Sequence, residues 1–151
     1  MDFPIRIPLV EDLGFELVRY AGGEAEVALD VQERHCNSFL VAHGGLVMTL
    51  LDVAMAHAAR SLHLDEPGGG PGLVTIEMKT SFMRPGIGRL RALGRVLHPT
   101  AKLAFTEGRV IDAEGALCAH ATATFKYMRT RPRDDGSPHP LRRLSAKTGS
   151  D

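Results

Sequence analysis

Several features that mark other protein classes are scarce in this sequence. There is no tryptophan, and aromatic residues make up 5% of the 151 residues, so a core must be filled by aliphatic side chains. Two cysteines, Cys36 and Cys118, are too few for a disulfide framework and favour free thiols in a reducing compartment. No apolar run reaches the ~18 residues of a membrane span, and the first residues contain prolines instead of a signal-peptide core. We therefore expect a cytoplasmic protein.

An excess of charge of one sign is also absent, because 18 Lys and Arg residues balance 18 Asp and Glu residues. A chain without a net field is a poor candidate for binding nucleic acid or an anionic membrane surface. The charge is uneven, however, since residues 129–151 carry six basic and three acidic side chains. This Arg-, Pro- and Ser-rich end is predicted to be a disordered basic tail. Residues 1–128 are predicted to form a single domain.

What the sequence does contain is a regular succession of apolar patterns. Residues 1–12 include Pro4 and Pro8, from which we expect an irregular segment. Period-two alternation predicts six strands, at 14–20, 24–31, 74–82, 88–97, 103–111 and 116–128. Between the second and third strands, residues 46–62 have helical length and strong helix formers.

The predicted helix is apolar on nearly every face, since its polar side chains up to residue 59 are Thr49, Asp52 and His57. Such a helix is expected to be buried on nearly every face. The element order therefore predicts an α+β fold in which an antiparallel sheet wraps one long helix. The edge and outer face of that sheet would still need cover, which predicts an oligomer.

Chemistry-bearing residues cluster where the helix begins. His43, Gly44 and Gly45 would leave backbone N–H groups pointing out of the helix amino terminus, where the helix dipole adds positive potential. Glycine also lets a ligand approach the backbone closely, so such a site can polarise a carbonyl and hold an oxyanion. Asp52, in the middle of the apolar helix, is costly to bury unless it is paired with another group or takes part in a reaction. Desolvation should raise its pKa above the ordinary value.

The spacing Asn37-x5-His43-Gly44-Gly45-x6-Asp52, in this element order, resembles the hotdog-fold acyl-CoA thioesterases. The nearest branch is the phenylacetic acid degradation (PaaI-like) type, and Ser-Phe-Met-Arg-Pro at 81–85 is similar to a strand-ending pattern of that family. The resemblance covers about residues 12–128. It implies a hotdog fold with five or six strands, no metal or redox cofactor, and homodimers paired into homotetramers.

The resemblance also implies roles for individual residues in the hydrolysis of an acyl- or aryl-CoA ester. The N–H of Gly44 would polarise the thioester carbonyl, and Asp52 would act as nucleophile or as general base. Asn37 would orient the carbonyl or the water, and His43 would help the thiolate to leave. In such enzymes the site lies between two subunits, so Asn37, His43 and Gly44 of one subunit would face Asp52 of the partner subunit.

Four further residues are candidates for substrate binding. Gly45 extends the glycine turn, and Thr75 matches the position of a hydroxyl residue in one branch of the family, although its strand position leaves open whether it faces a partner or solvent. Arg84 lies in the 81–85 pattern. Arg89 begins an arginine face that suits the phosphates of coenzyme A, while a solvated strand face explains the same residues.

The residues also permit simpler interpretations. Asp52 could be a structural acid, His43 a helix cap, and Asn37 a turn residue. His35, Cys36 and His43 suggest zinc but lack a fourth ligand at the right spacing, and His57 is expected to be a hydrogen-bonded core or interface histidine. Two rival functions remain, a non-catalytic acyl-CoA-binding protein and an acyl-thioester hydratase or dehydratase.

Overall fold

The structure, a computed structural model, describes residues 1–129. The predicted tail therefore lies outside the described residues except for Arg129, which pairs with Glu66 at 2.7 Å. Within residues 1–129, no helix combines the length and the apolar character that crossing a membrane would require.

Two α-helices and six strands, with three short 3-10 turns between them, are the regular elements of the described part of the chain. The helices are α1 (Pro8–Leu13) and α2 (Gly44–Arg60). The strands are β1 (Glu16–Ala21), β2 (Glu24–Asp30), β3 (Gly72–Phe82), β4 (Arg89–Pro99), β5 (Leu103–Ile111) and β6 (Leu117–Met128). The predicted strands and the long helix are confirmed, with ends that shift by one or two residues.

The six strands form one sheet in the order β1-β2-β4-β5-β6-β3, and all pairings are antiparallel. The inner face of this sheet curves around α2, whose apolar side chains fill the core together with those of β2, β4, β5 and β6. This is the hotdog fold, as the resemblance implies. Strand β3, which follows the helix in the chain, forms one free edge of the sheet.

A pair of glycines brings the helix close to the sheet. Gly94 of β4 and Gly108 of β5 are paired neighbours in the sheet. A Cβ atom at Gly94 would lie 2.7 Å from the backbone of Ala54, and one at Gly108 would lie 3.1 Å from the side chains of Leu51 and Met55. The backbone of α2 therefore rests directly on the sheet at Gly94.

The expectation of an irregular amino-terminal segment at residues 1–12 is wrong from residue 8 onward, where α1 begins. Pro8 occupies the first turn of this helix, where its missing N–H would have no partner anyway and its fixed φ is already helical. Gly14 ends α1 in the left-handed conformation with φ 75°. Proline thus begins this helix instead of preventing it.

The alternation predicted for β3 is also interrupted. Strict alternation places Thr75 and Met78 on opposite faces, but a bulge at Ile76 shifts the register between them. Thr75 pairs with Phe125 and Met78 pairs with Ala123, both of which are buried. The bulge therefore turns both Thr75 and Met78 toward the helix.

Candidate active site

Helix α2 begins at Gly44 because His43 caps it. The backbone of His43 is extended (φ −59°, ψ 138°), and its ring Nδ1 accepts a hydrogen bond from the N–H of Gly45 at 2.9 Å. Its carbonyl accepts the first helical bond, from Val47. The capping role that the sequence left open for His43 is therefore present, and Nε2 is the ring nitrogen that remains for other contacts.

The N–H of Gly44 is an open donor at this helix terminus. Within residues 1–129 it bonds to no acceptor, whereas the neighbouring N–H groups of His43 and Gly45 bond to His35 and His43. The ring of Phe82, at the end of β3, lies 3.5 Å from where a Cβ of Gly44 would be. An unpaired N–H at a helix amino terminus, beside an apolar ring, is suited to hold a carbonyl oxygen that becomes negative.

Asn37 begins a tight turn that leads into the cap. Its Oδ1 accepts hydrogen bonds from Phe39 N–H at 2.9 Å and from Val41 N–H at 3.5 Å, which is an Asx turn. Leu40 in this turn has φ 56°, an uncommon conformation for a side-chain-bearing residue. Phe39 is 83% exposed at the tip. The turn commits the amide oxygen of Asn37 and leaves its NH2 group as the donor.

Asp52 lies on a partly exposed stripe of α2, together with Thr49 and Ala56. This stripe faces β3, where the hydroxyl of Thr75 donates a hydrogen bond to Oδ1 of Asp52 at 2.6 Å. Burial raises the pKa of Asp52 above its ordinary value, and the bond from Thr75 partly opposes that rise. Thr75 therefore faces the carboxylate of its own chain, which is neither of the two orientations, toward a partner or toward solvent, that the sequence left open.

A cavity of about 200 Å³ opens beside Asp52 and Thr75. Its walls come from α2, from Leu73 and Phe125 of the sheet, and from the amino-terminal segment. The segment contributes Ile5, Ile7 and Leu9, which were not among the site residues expected from the sequence. Their alternation with Arg6 and Pro8 is the pattern that could have revealed a segment with one apolar side.

The two parts of the site lie apart within one protomer. Gly44 and Asp52 are eight positions apart in α2, which corresponds to about 12 Å along the helix axis. One carbonyl group cannot contact both groups at that distance. The structure thus brings Asp52 together with Thr75, and Gly44 together with Gly45 and His43, but it does not bring these two groups together in one chain.

The two candidate arginines differ in their partners. Arg89 is bound to Glu16 at 2.9 Å and to Asp30 at 3.0 Å, and these acidic neighbours raise its pKa. Arg84 forms no ion pair with any described residue, and it follows β3 close to Phe82. Arg84 is therefore the better placed of the two to meet an anionic group near the amino terminus of α2.

Two further histidines, His35 and His57, serve the fold. Both ring nitrogens of His35 are engaged, with Gln32 N–H and with the carbonyl of Leu13, so the zinc alternative lacks a ligand there. No group of three or more His, Cys, Asp or Glu side chains within residues 1–129 could hold a metal ion. His57 is buried and bonds through Nδ1 to Val53 O at 2.7 Å, as expected for a core histidine.

Comparisons with known proteins point in one direction. The sequence profile of the thioesterase superfamily matches residues 39–119. The Pseudomonas aeruginosa protein named "Putative esterase PA0474" is 34% identical in an alignment of 124 residues that covers 78% of this chain and 87% of that protein. The solved structure of a conserved P. aeruginosa protein has a TM-score of 0.75 and 28% identity, covering 83% of this chain and 97% of that chain.

A second solved structure carries the name that the sequence resemblance suggests. It is a mutant of the phenylacetic acid degradation protein PaaI from Thermus thermophilus, with a TM-score of 0.70 and 30% identity over 81% of this chain and 100% of that chain. The superfamily match spans more than half of the 151 residues and includes His43, Gly44, Asp52 and Thr75. The chain belongs to the thioesterase superfamily.

Proposed function

We propose that this protein is an acyl-CoA thioesterase whose active site is completed by a second copy of the chain. The observation that carries the proposal is Asp52, a carboxylate half-buried in an apolar helix, hydrogen-bonded to Thr75 and adjoining an apolar cavity. A carboxylate that burial keeps more basic than usual is suited to take a proton from water or to attack a carbonyl. Membership of the thioesterase superfamily supports a thioester as the substrate.

The free edge of β3 supports a particular way of pairing two copies. Along this strand Thr75 adjoins Asp52, and Phe82 adjoins Gly44. Antiparallel pairing of β3 with its copy, centred on Lys79 and with the bulged Ile76 counted as one position with Glu77, would set Thr75 opposite Phe82 of the partner subunit. Asp52 of one chain would then meet Gly44 of the other. This pairing removes the separation of about 12 Å within each protomer and creates two equivalent sites.

The reaction divides between the two chains as follows. The N–H of Gly44 donates to the thioester carbonyl oxygen and stabilises the negative charge that develops there. Asp52 of the partner subunit either adds to the carbonyl carbon or takes a proton from the water that adds to it. The C–S bond then breaks and coenzyme A leaves as the thiolate. Where water has added, the acyl group is released as a carboxylate. Where Asp52 has added, the acyl group is left as a mixed anhydride with Asp52, which a water molecule then hydrolyses to the carboxylate and free Asp52.

His43 and Asn37 assist from the Gly44 side. Because Nδ1 of His43 accepts a hydrogen bond from Gly45, the ring proton is on Nε2 in the neutral form. Nε2–H can therefore donate to the leaving sulfur. The Asx turn holds Oδ1 of Asn37, which leaves the NH2 group to donate to the carbonyl or to the water. Gly45 permits close approach, and Arg84 is a candidate contact for a coenzyme A phosphate.

Thiol release from a panel of aryl- and fatty-acyl-CoA esters tests this function. We expect turnover by the unmodified protein and a loss of about 10²–10⁴-fold in kcat for Asp52→Asn, the range that positioned acid–base groups contribute. Affinity for the ester should survive, because asparagine can still accept the hydrogen bond of Thr75. Asp65→Asn, which changes an exposed acid outside the site, is the matched control.

Two outcomes would reject the proposal. Unchanged turnover in Asp52→Asn would remove the carboxylate from the mechanism. Binding of the same esters by the unmodified protein without any thiol release would instead indicate an acyl-CoA-binding protein.

A further inference from the structure

The cavity beside Asp52 has a definite shape and definite walls. Its helix side is formed at intervals of three and four residues by Thr49, Asp52, Val53, Ala56, His57 and Arg60, a stripe that runs along α2 toward its carboxyl end. From Asp52 to Arg60 the stripe is about 12 Å long. The cavity therefore leads away from the carboxylate, on the side opposite to Gly44.

The amino-terminal segment closes this cavity from outside. Ile5, Ile7 and Leu9 form its outer wall. The ring of Phe3, in the same segment, packs edge-on against His57 with ring centroids 5.1 Å apart. Ile7 also accepts the first hydrogen bond of α1, from Glu11 N–H at 3.1 Å. The wall is thus anchored at both ends, to α2 and to α1.

The polar groups at the far end of the cavity are either neutral or turned away from it. Burial lowers the pKa of His57 to about 4, so this ring is neutral at neutral pH. The two terminal nitrogens of Arg60 donate to the carbonyls of Pro71 and Gly68, which directs the guanidinium into the 67–71 loop. The walls that remain are aliphatic or aromatic, apart from Thr49 and the end at Asp52 and Thr75.

We propose that this cavity holds the acyl group of the thioester, and that Ala56 and Ile7 set the size of group that it admits. This inference rests on the proposed function, since it assigns the acyl part of the same substrate. A cavity of about 150 Å³ in another protein takes up benzene, so about 200 Å³ fits one ring or a short branched chain. Compact apolar acyl groups are therefore the substrate class, and long unbranched chains are excluded by the anchored wall.

The two residues on opposite walls allow opposite tests. Ala56→Leu fills the cavity from the helix without lowering helix propensity much. Ile7→Ala enlarges it from the amino-terminal wall. Leu97→Ala truncates an exposed aliphatic side chain on β4, outside the cavity, and serves as the control. Each variant is compared on acetyl-, benzoyl- and palmitoyl-CoA, with acetyl-CoA as the internal reference because its acyl group hardly enters the cavity.

The ratio of kcat/KM values between esters is the readout, because a general loss of folded enzyme cancels in it. The unmodified protein should favour benzoyl-CoA over both other esters. Ala56→Leu should lower the benzoyl-to-acetyl ratio by at least about tenfold, the effect of a single misfitting group in an apolar pocket. Ile7→Ala should raise the palmitoyl-to-benzoyl ratio, and Leu97→Ala should change neither ratio.

The measured kcat/KM ratios and the presence of thiol release distinguish failure of this inference from failure of the proposed function. Turnover with ratios that neither cavity variant changes, or a preference of the unmodified protein for palmitoyl-CoA, overturns the cavity assignment while thioesterase activity stands. If no ester releases thiol, calorimetric affinity for benzoyl-CoA relative to free coenzyme A decides the assignment. A preference for benzoyl-CoA that Ala56→Leu abolishes supports it, and equal affinities overturn it.

Discussion

Two opposed effects act on the pKa of Asp52, one from burial and one from Thr75. Burial in α2 disfavours the ionised carboxylate, and the hydroxyl of Thr75 favours it. The net result is a pKa that stays above the ordinary value of an aspartate. Keeping an ionised carboxylate in this environment lowers the free energy of unfolding and makes the carboxylate a stronger base. Such a cost is typical of groups that take part in a reaction.

This raised pKa makes a prediction about stability that needs no substrate. A carboxyl group whose pKa is higher in the folded than in the unfolded protein is favourable while protonated, and that contribution is lost as the pH rises through the folded pKa. At pH 7 Asp52→Asn should therefore have a larger free energy of unfolding than the unmodified protein. In urea unfolding the difference should shrink toward about pH 3, below the ordinary aspartate pKa of ~3.9. A variant that is less stable at both pH values would contradict the assigned cause.

At the residue scale, the spacing in the sequence is enough to single out Gly44, His43 and Asp52, because each depends on a local pattern at a helix start. The contact of Thr75 could not be predicted in the same way. It depends on a bulge one residue later, and a bulge is set by pairing with β6, which alternation along one strand does not report. Ile7 was missed because its role depends on where a short terminal segment packs.

At the scale of elements, the contact between α2 and the sheet sets the position of Asp52. Gly94 meets the backbone of Ala54 directly, while Gly108 meets the flexible side chains of Leu51 and Met55. A helix backbone can move only as a unit, but a leucine or methionine side chain can change rotamer. The two glycines therefore tolerate an added methyl group to different degrees.

Gly94→Ala should destabilise the protein by about 1–3 kcal/mol, as overpacking of a well-packed core does. Gly108→Ala, in the neighbouring strand, should cost less because Met55 can yield. Urea unfolding of both variants against the unmodified protein measures the difference. Equal losses, or a larger loss for Gly108→Ala, would show that the helix is not seated on Gly94 as described.

The elements themselves could largely be predicted, since strands of period two and a long apolar helix leave strong patterns. Helix α1 could not, because a six-residue helix has too few positions to show a period. Its starting residue, Pro8, also has two meanings. The same proline that interrupts a helix interior is favoured in a first turn, and only the tertiary contacts of Val10 in the core decide between them.

At the scale of the whole molecule, the outstanding feature is the free edge of β3. Ile76 is 55% exposed on this strand, and Val74 and Phe82 are also exposed. An unpaired strand edge with exposed apolar side chains is a surface that monomeric proteins normally protect. The sequence predicts that some surface must be covered, but neither the edge nor its symmetry is encoded in a local pattern.

Ile76→Lys should convert the proposed dimer into monomers, because a lysine on a strand edge opposes pairing. Thiol release should fall with it, since neither chain alone brings Gly44 to Asp52. Leu97→Lys, which places the same charge at an exposed position on β4, should leave the dimer intact. Sedimentation velocity measures the mass of each variant. Retention of the dimer and of activity by Ile76→Lys would rule out pairing through β3.

The division of one site between two chains is the central claim, and Gly44 allows a sharp variant for it. Gly44→Pro removes the N–H while leaving the helix start intact, because proline suits a first helical position and His43 already has the extended backbone that precedes proline. Loss of one such donor lowers kcat by about 10²–10³-fold. Gly44→Ala is the control, since it keeps the N–H and its methyl group would lie 3.5 Å from Phe82.

The most direct measurement is thiol release by mixed dimers of Gly44→Pro and Asp52→Asn chains, purified with two different affinity tags. Each parent should be nearly inactive. The mixed dimer should regain one of its two sites, because Gly44 of the Asp52→Asn chain meets the intact Asp52 of the Gly44→Pro chain, and its kcat per dimer should approach half that of the unmodified protein. A mixed dimer no more active than its parents would contradict a site shared between two chains.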